Sequence, residues 1–477
     1  MPTSPVLLAL AAALGSAQPA SSGLPAPAPE ASAPATPATP PMPGQASAPP
    51  ATTPSAAPQA GLPAAPYREL PLDEALATLD RQNLTLAQVR SRADQARAVV
   101  RETASALLPT LTASGSYVRN SDSAAVNTPP IPGLPPMHVI IQPLQSFSGT
   151  GTARLPIIVP QAWYDLTASR QGARAAGETE VASRRQVRAG FIQSANNALA
   201  VEEAVVASEN AIANAAELVR SAERRVAAGT AAPLDVLKAR TELVRRESDL
   251  TETRSRLDRA RLGLGVLLGR AEGIRVTVPP PPSVEQPVPP EEERAAEALA
   301  NRPEVRAQAA QVGAAEASVK SAWARLAPTL SASASAFAAD VPYPTGQKEG
   351  WRVSVDLTWS LYDGGYRYGK RREAEAALAG AHAADDSQRL SVTQEAVDAG
   401  RDLEVARERF RLAESERALA SDTAASAKRS FDAGIASSLD VIDANDRLFQ
   451  ADIGLASARA RLASSRVALT FALGRGP

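Results

Sequence analysis

The sequence predicts a mainly helical protein that also contributes strands to a membrane β-barrel, built from a duplicated helix-strand-strand-helix-helix unit. Three observations lead to this prediction. Apolar residues recur every seven positions in two stretches, one set of motifs occurs twice, and four segments alternate between apolar and polar residues. The composition agrees, because the hydrophobic share of 44% is mostly alanine and only 4% of the residues are aromatic. Small residues at helix contacts suit long helices that pack closely.

The composition also excludes several classes of site. The 477-residue chain has no cysteine, so disulfides, zinc-thiolate sites and cysteine nucleophiles are excluded, and its two histidines, His138 and His382, lie far apart in the sequence. The 50 Lys and Arg residues balance 51 Asp and Glu residues, which gives no basic surface for nucleic acid. We therefore expect no catalytic constellation, cofactor, metal site or nucleic-acid partner.

The N-terminal region has the features of a targeting and linker segment. Residues 6–14 form a short apolar run, and Gly15, Ser16 and Ala17 supply small residues of the kind that signal peptidase recognises, so residues 1–17 are predicted to be a signal peptide. Residues 18–66 contain 15 of the 40 prolines and neither Lys nor Arg. Such a segment buries too little apolar surface to order itself, and it is predicted to be a disordered Ala/Pro-rich linker.

The rest of the chain reads as two copies of one unit. Pro-Leu-Asp-Val-Leu at 233–237 matches Ser-Leu-Asp-Val-Ile at 438–442, and Leu-Leu-Pro-Thr-Leu-Thr-Ala-Ser at 107–114 matches Leu-Ala-Pro-Thr-Leu-Ser-Ala-Ser at 326–333. The offsets are 205 and 219 residues, so the first copy has 14 extra residues, which we place in a proline-rich surface loop near 121–137. The predicted domains are a first repeat at 67–278, a Pro-rich linker at 279–290 and a second repeat at 291–477.

Each repeat carries a seven-residue apolar periodicity, which is typical of helices that supercoil against a neighbour. Prolines and glycines then set the helix limits. Each repeat is predicted to have a short helix, a β region, a long helix, a turn at Gly229 or Gly434, and a second short helix. The predicted helices span 72–106, 161–228 and 233–270 in the first repeat, and 291–326, 364–433 and 437–474 in the second. The periodic positions are Val236, Leu243, Leu250, Leu257 and Leu264, then Val441, Leu448, Leu455, Leu462 and Leu469.

The strand signals indicate a membrane. Residues 351–361 alternate without a break, and eleven residues of period two with Trp near both ends of the apolar face fit a transmembrane strand. Residues 330–336, 111–117 and, more weakly, 147–155 alternate similarly. Each run also fits a half-buried strand of a soluble sheet, but the secretory signal and the fourfold recurrence favour the membrane. The predicted lipid-facing side chains of the last strand are Trp351, Val353, Val355, Leu357 and Trp359.

Four strands cannot close a barrel, and an open edge in lipid would leave backbone groups unpaired at a cost of several kcal/mol each. Several chains must therefore combine. Two chains give eight strands and three give twelve, and since an eight-stranded barrel is filled by its own side chains, a conduit needs the larger number.

The chain resembles the TolC-like outer-membrane factors, a family of outer membrane efflux proteins. The matching features are Leu-Leu-Pro-Thr-Leu at 107–111, Trp-Ser-Leu-Tyr-Asp-Gly-Gly at 359–365, the two Gly-x5-Asp-Val turns and the duplication itself. The resemblance implies a homotrimer in the outer membrane, with twelve strands in a shared barrel and long coiled-coil helices in a periplasmic α-barrel. It also implies a passive channel of a tripartite efflux or type I secretion system, with a periplasmic membrane-fusion adaptor and an inner-membrane pump of the RND, ABC or MFS type.

The resemblance further implies roles for particular residues. The tips that contact the adaptor correspond to Gly229, Thr230, Gly434 and Ile435, and acidic rings at the channel entrance correspond to Asp440 and Asp443, with Asp235 as the first-repeat counterpart of Asp440. For Asp235 and Asp440, capping of the following helix is an equally good interpretation. Where some family members have a tyrosine and an arginine that latch the closed tip, this chain has Phe431 and Ala436, which predicts a hydrophobic or looser closure.

One alternative of a different class stays open at this point. A secreted coiled-coil scaffold or interaction protein without a channel would show the same heptads and the same duplication. The two hypotheses differ in the strands, because a charge on an apolar strand face harms membrane assembly only if that face contacts lipid.

Overall fold

The computed structural model describes residues 67–127, 138–279, 287–342 and 347–476. The predicted signal peptide and Ala/Pro-rich linker lie outside the described residues, as do most of the predicted loop at 121–137 and the centre of the linker at 279–290. None of the described helices combines the length and the apolar character needed to cross a membrane.

The described chain contains eight strands and eight helices. In chain order they are β1 (Arg68–Pro71), α1 (Leu72–Gln82), α2 (Leu84–Ser105), β2 (Thr110–Arg119), β3 (Ala124–Asn127), β4 (His138–Gln142), β5 (Gln145–Ile158), α3 (Pro160–Ala227), α4 (Pro233–Leu267), β6 (Ile274–Thr277), α5 (Glu291–Asn301), α6 (Pro303–Ala324), β7 (Thr329–Ala339), β8 (Glu349–Thr358), α7 (Tyr366–Asp432) and α8 (Ser438–Ala472).

The long helices α3 and α7 are each about 100 Å long at 1.5 Å per residue. In one half of the molecule the helices lie side by side in the order α4, α3, α8, α7, and in the other half the order is α2, α3, α6, α7. The short helices thus stack end to end beside the long ones, as predicted. Alanines such as Ala175, Ala222, Ala239 and Ala396 are fully buried at these contacts, which explains how an alanine-rich chain forms a closely packed helical wall.

In each repeat, the short helices meet end to end at a Leu-Gly-Arg sequence that follows α4 or α8. Gly269 and Gly474 adopt φ of +71° and +73°, and a Cβ at either position would lie 2.8 Å from an atom of Gln82 or Asn301, the last residues of α1 and α5. The Asn83 side-chain amide donates to the Leu267 carbonyl over 2.7 Å at the first junction. The recurring glycine is therefore required by both the backbone conformation and the close approach.

The predicted helices 72–106 and 291–326 are wrong as single helices, because each is divided in two. Asn83 is extended, with ψ of 124°, and its side chain accepts from the Leu86 amide over 3.0 Å, so it begins a new helix. In the second repeat Pro303 has no amide hydrogen and forces Arg302 into an extended conformation. The sequence carried both signals, an Asn and a Pro, inside otherwise helical patterns.

Three smaller differences concern the ends of elements. The helix predicted from 364 begins at Tyr366 because Gly364 and Gly365 have φ of +69° and +87°. The strand predicted for 351–361 spans Glu349–Thr358. Part of the loop predicted at 121–137 is instead strand β3, which pairs with β4 as a hairpin. The parallel pair of β1 and β6 was not predicted, since four residues are too few to show a periodicity.

The four predicted strands form one antiparallel sheet in the order β2, β5, β7, β8. Helices enter and leave all four strands at the same end, so the sheet extends from one end of the helical wall. This arrangement confirms the predicted helix-strand-strand-helix-helix order in both repeats. The domain boundaries assigned to the repeats stay predictions.

Candidate functional site

Over most of its length the four-stranded sheet has one apolar face and one polar face. Arg119 and Glu349, at the outer ends of β2 and β8, lie on the apolar side. The register of the sheet pairs Leu111 with Ala153, Ala153 with Ala334 and Ala334 with Val353 across all four strands. Because side chains alternate along a strand, the whole apolar set lies on one side. That set comprises Leu111, Ala113, Gly115, Tyr117, Phe147, Gly149, Gly151, Ala153, Leu155, Leu330, Ala332, Ala334, Ala336, Trp351, Val353, Val355 and Leu357.

The apolar face is exposed in the single chain. Leu111, Trp351 and Leu357 are all highly exposed, and so is Trp359, whose indole nitrogen donates to the Leu326 carbonyl over 3.1 Å where β8 ends. An exposed apolar patch that extends across four strands would be unusual on a soluble monomer. The residues predicted to face lipid therefore share one accessible surface, and their contact with lipid stays a prediction.

The opposite face carries mainly hydroxyl groups. The Ser333 and Ser354 hydroxyls lie 2.8 Å apart across β7 and β8, and Ser354 donates to Asp356 over 3.1 Å. The outer strands are unpaired on one side, because β2 pairs only with β5 and β8 only with β7 among the described strands. The single chain thus presents two free sheet edges.

The two tips at the far end of the helical wall have nearly the same backbone. Gly229 and Gly434 follow α3 and α7 with φ of +72° and +80°. The Gly229 amide donates to Val226 and the Thr230 amide to Arg225, and the second tip repeats both bonds from Gly434 and Ile435. This pattern satisfies the last carbonyls of each long helix. All four predicted tip residues are exposed, and Ile435 is 84% exposed.

Asp440 lies in a capping box at the start of α8. Its carboxylate accepts from the Ser437 amide and the Ser437 hydroxyl, both over 2.8 Å, while the Asp440 amide donates back to the Ser437 hydroxyl over 3.3 Å. The backbone hydrogen bond and then the hydroxyl bond hold the pKa of Asp440 below its usual range. The capping interpretation therefore has direct geometric support, and the exposed side chain leaves the pore interpretation open.

The other two acidic residues have different partners. The Asp443 carboxylate is exposed and pairs with Arg447 one turn later over 3.0 Å. Asp235 accepts from the Ser438 hydroxyl over 2.7 Å, so it binds the start of α8 instead of capping its own helix, which has no side-chain cap. Proximity to the tips is thus shared by all three residues, but each makes a different contact.

Phe431 does not line the tip surface. It is 2% exposed and packs against Leu218, Ala222 and Val441 between the two helical hairpins. The Arg225 guanidinium lies 4.4 Å from the centre of its ring and donates to the Phe431 carbonyl over 2.7 Å. Phe431 thus makes its contacts within one chain, with a cationic partner that the sequence did not predict, and the hydrophobic or looser closure of the tip stays a prediction.

A second unpredicted arginine lies below the tips. Arg246 of α4 is 3% exposed and contacts Glu242 at 2.6 Å, Asp249 at 3.3 Å and Asp446 of α8 at 2.5 Å, with the Phe449 ring centre 4.7 Å away. Burial alone would lower the pKa of Arg246, but the hydrogen bond to Asp446 and the nearby Glu242 charge raise it. The charged contacts around α4 could have been found from Glu242 and Asp249, at four and three residues from Arg246, but Asp446 could not.

The described residues contain no group of three or more His, Asp or Glu side chains able to hold a metal ion. The geometry is instead that of a two-faced sheet with free edges, joined to a helical wall whose far end carries two exposed turns.

Comparison with known proteins assigns the chain to a family. The model of the family described as outer membrane efflux protein matches residues 75–270 and 295–475, which is most of the chain. One curated relative, the cobalt-zinc-cadmium resistance protein CzcC of Cupriavidus metallidurans, is 27% identical over 164 residues. That match covers 34% of this chain and spans only 39% of the relative's length.

Solved structures agree in fold. The outer-membrane channel OprN is 21% identical and superposes with a TM-score of 0.70 over 85% of this chain and 90% of that chain. The outer membrane protein VceC of Vibrio cholerae is 18% identical, with a TM-score of 0.71 over 85% of this chain and 96% of that chain. At these identities the likeness concerns the fold alone.

Proposed function

Because the chain belongs to the outer membrane efflux protein family, we propose that it is the passive exit duct of a tripartite efflux or type I secretion system. It is a protein of the outer membrane, with its helices in the periplasm. In the proposed system an adaptor contacts the tips around Gly229, Thr230, Gly434 and Ile435, and an inner-membrane pump supplies the energy. The chain itself would need no catalytic residue.

The observation that carries the proposal is the two-faced sheet with free edges. In lipid, each unpaired backbone group costs several kcal/mol, so β2 of one copy must pair with β8 of the next. The helical wall also has two different edges, because α7 lies at one side and α4 and α2 lie at the other. In a ring, α7 of one copy would therefore contact α4 and α2 of the next copy. Such head-to-tail contacts close into rings, and three copies give twelve strands around a lumen.

Charge substitutions on the two faces test the membrane assignment. Replacing Val355 with Lys places a charge on the apolar face, which costs about 2–4 kcal/mol at the bilayer midplane, and we expect loss of assembled outer-membrane oligomer. Ser354→Lys changes the adjacent residue on the polar face beside Asp356 and should assemble normally. Heat-modifiable migration of membrane extracts measures the difference. Normal assembly of Val355→Lys would show that this face of the sheet does not contact lipid.

The proposed acidic entrance is tested separately. Three copies of Asp440 and Asp443 near the tip of a closed channel would concentrate cations and repel anions. Asn at both positions should reduce cation selectivity in planar bilayers, and the effect should be smaller than the count of six carboxylates suggests, because each Asp443 is paired with Arg447. Unchanged selectivity in a conducting channel would leave capping as the sole role of Asp440.

A further inference from the structure

The polar face of the sheet carries few ionisable groups, and the strand register fixes their heights. Within the four strands that the structure describes, these groups are Arg352, Arg154 and Asp356. All three are exposed on a surface otherwise formed mainly by Ser and Thr. Ser and Thr hydroxyl groups can contact water without charged neighbours, so hydration of this face does not explain the three charged groups.

The three charges lie on successive rungs of the sheet. Arg352 is level with Ser335 and Thr152, Arg154 is level with Ser333 and Ser354, and Asp356 is level with Ser331 and Pro156. Successive rungs on one face are about 7 Å apart along a strand. Since β8 runs towards the helices, Arg352 is farthest from them and Asp356 is nearest.

The arginines are not neutralised by carboxylates. Neither Arg352 nor Arg154 makes an ion pair within 4.0 Å in the part of the chain that the structure describes, and Arg154 reaches only the Ser331 hydroxyl, at 3.4 Å. Asp356 accepts from Ser354 and is not within ion-pair distance of either arginine. Two cations and one anion thus act separately, which leaves a net charge of +1 for each chain on this face.

We propose that Arg352 and Arg154 form a collar in the barrel lumen that attracts small anions and the anionic groups of exported molecules. The inference rests on the proposed function, because the polar face becomes a lumen only when copies close the barrel. Three copies would then bring six guanidinium groups to two adjacent rungs, above a ring of three Asp356 carboxylates. A positive potential in a low-dielectric wall raises the local concentration of anions.

The collar has the opposite sign to the proposed acidic entrance. Asp440 and Asp443 lie at the tips of the helical wall, about 100 Å from the sheet, which is many times the Debye length of about 8 Å at physiological salt. The two ends therefore act independently. A closed tip should favour cations, and once the tip is open the barrel should determine the preference among small ions.

The test is bilayer conductance of the whole protein across a KCl gradient. The variant Arg352→Gln with Arg154→Gln should lower the chloride-to-potassium permeability ratio by about two- to threefold at low salt, where the Debye length is about 10–30 Å. The change should nearly vanish at 1 M salt, where that length is about 3 Å. Recording in the Asp440→Asn, Asp443→Asn background removes the contribution of the tip.

Two controls isolate the charge and the face. Lys at both positions keeps the charge and should leave the ratio unchanged. Arg119→Gln removes a cation from the other face at the outer end of β2 and should also have no effect. A conducting channel whose ratio does not respond to the double Gln variant would overturn the collar and leave the proposed function standing. A wild-type protein that never conducts would overturn the proposed function, and the collar with it.

Discussion

The two helical hairpins, α3–α4 and α7–α8, share a backbone but differ in the side chains through which they contact each other. Their tip glycines have nearly the same φ, and their short helices are both 35 residues long. At equivalent positions 205 residues apart, however, Arg246 corresponds to Ala451, and Phe431 corresponds to Val226. In the contact between them, the first hairpin supplies two arginines, and the second supplies two aromatic rings and the Asp446 carboxylate.

The comparison shows how a duplicated unit can become complementary to its own copy. Arg225 and Arg246 of the first hairpin contact Phe431, Asp446 and Phe449 of the second. Each of these residues differs from its counterpart 205 positions away, so the contacts form in one direction only and have no equivalent with the two hairpins exchanged. Divergence at a few positions therefore distinguishes the first hairpin from the second at their shared contact.

The largest expected effect comes from removing the buried cation. Arg246→Ala leaves three carboxylates without their shared partner, and we expect the free energy of unfolding to fall by about 3 kcal/mol, towards the lower end for a broken buried pair because Asp446 is partly exposed. Thermal unfolding followed by circular dichroism measures the loss. The adjacent Arg245 is 60% exposed, and its one ion pair among the described residues is with Glu242 at 3.8 Å, so Arg245→Ala should cost less than about 1 kcal/mol.

A double substitution separates the contact between hairpins from local effects. If Arg246 acts mainly by joining α4 to α8, then Arg246→Met with Asp446→Leu should recover part of the stability lost in either single variant. Additive losses would mean that Glu242 and Asp249, both on α4, carry the interaction. In that case the two hairpins are less complementary than their side chains suggest.

A smaller effect is expected at the tip. Arg225→Ala removes a charged hydrogen bond to the Phe431 carbonyl and a guanidinium stacked on the Phe431 ring, which together stabilise the contact by about 2 kcal/mol. Arg224 is 64% exposed, contacts Glu217 at 3.4 Å, and is the matched control, with an expected loss below about 1 kcal/mol. Loosened tips should also raise single-channel conductance in bilayers. Equal stability and equal conductance of the two variants would contradict a role for Arg225 in stabilising the contact between the hairpins.

Local patterns were sufficient to predict most of the fold. The heptads, the duplicated motifs and the period-two runs gave the long helices, the tips and the four strands, because each feature depends on residues close together in the sequence. The same kind of local signal, Asn83 and Pro303, was present where the short helices divide, but the helical periodicity on either side outweighed it in the prediction.

Contacts between the repeats could not be predicted. Arg246 and Asp446 are 200 residues apart, and nothing in either local pattern distinguishes a buried arginine from the exposed Arg245 beside it. Asp235 and Asp440 occupy equivalent motifs, so the sequence assigns them one role. Their partners differ because Ser437 precedes α8, whereas Ala232 and Pro233 begin α4 without a side-chain cap. Such differences arise only when two distant segments pack together.

The smallest effects are expected at Asp235 and Asp440, and these effects test whether the two carboxylates have different partners. Ser438 is buried, so Asp235→Ala leaves its hydroxyl without an acceptor, at a cost of about 1 kcal/mol. Replacing Ser438 with Ala in addition should restore most of that loss, since neither partner then remains unsatisfied. Asp440→Asn should disturb only the start of α8, because within the described part of the chain the hydrogen bonds of this carboxylate go to Ser437.

The pH dependence of Asp440→Asn completes the comparison. The pKa of Asp440 is lowered in the folded state, first by the Ser437 amide and then by its hydroxyl, so the ionised carboxylate stabilises the fold. That stabilisation is fully present above the ordinary carboxyl pKa of about 3.9 and is lost as the pH falls through the lower folded value. Wild type should therefore melt at a higher temperature than Asp440→Asn at pH 7, and the difference should shrink steadily below about pH 4. A difference that stays constant down to about pH 2 would show that the capping box acts through its shape and not through its charge.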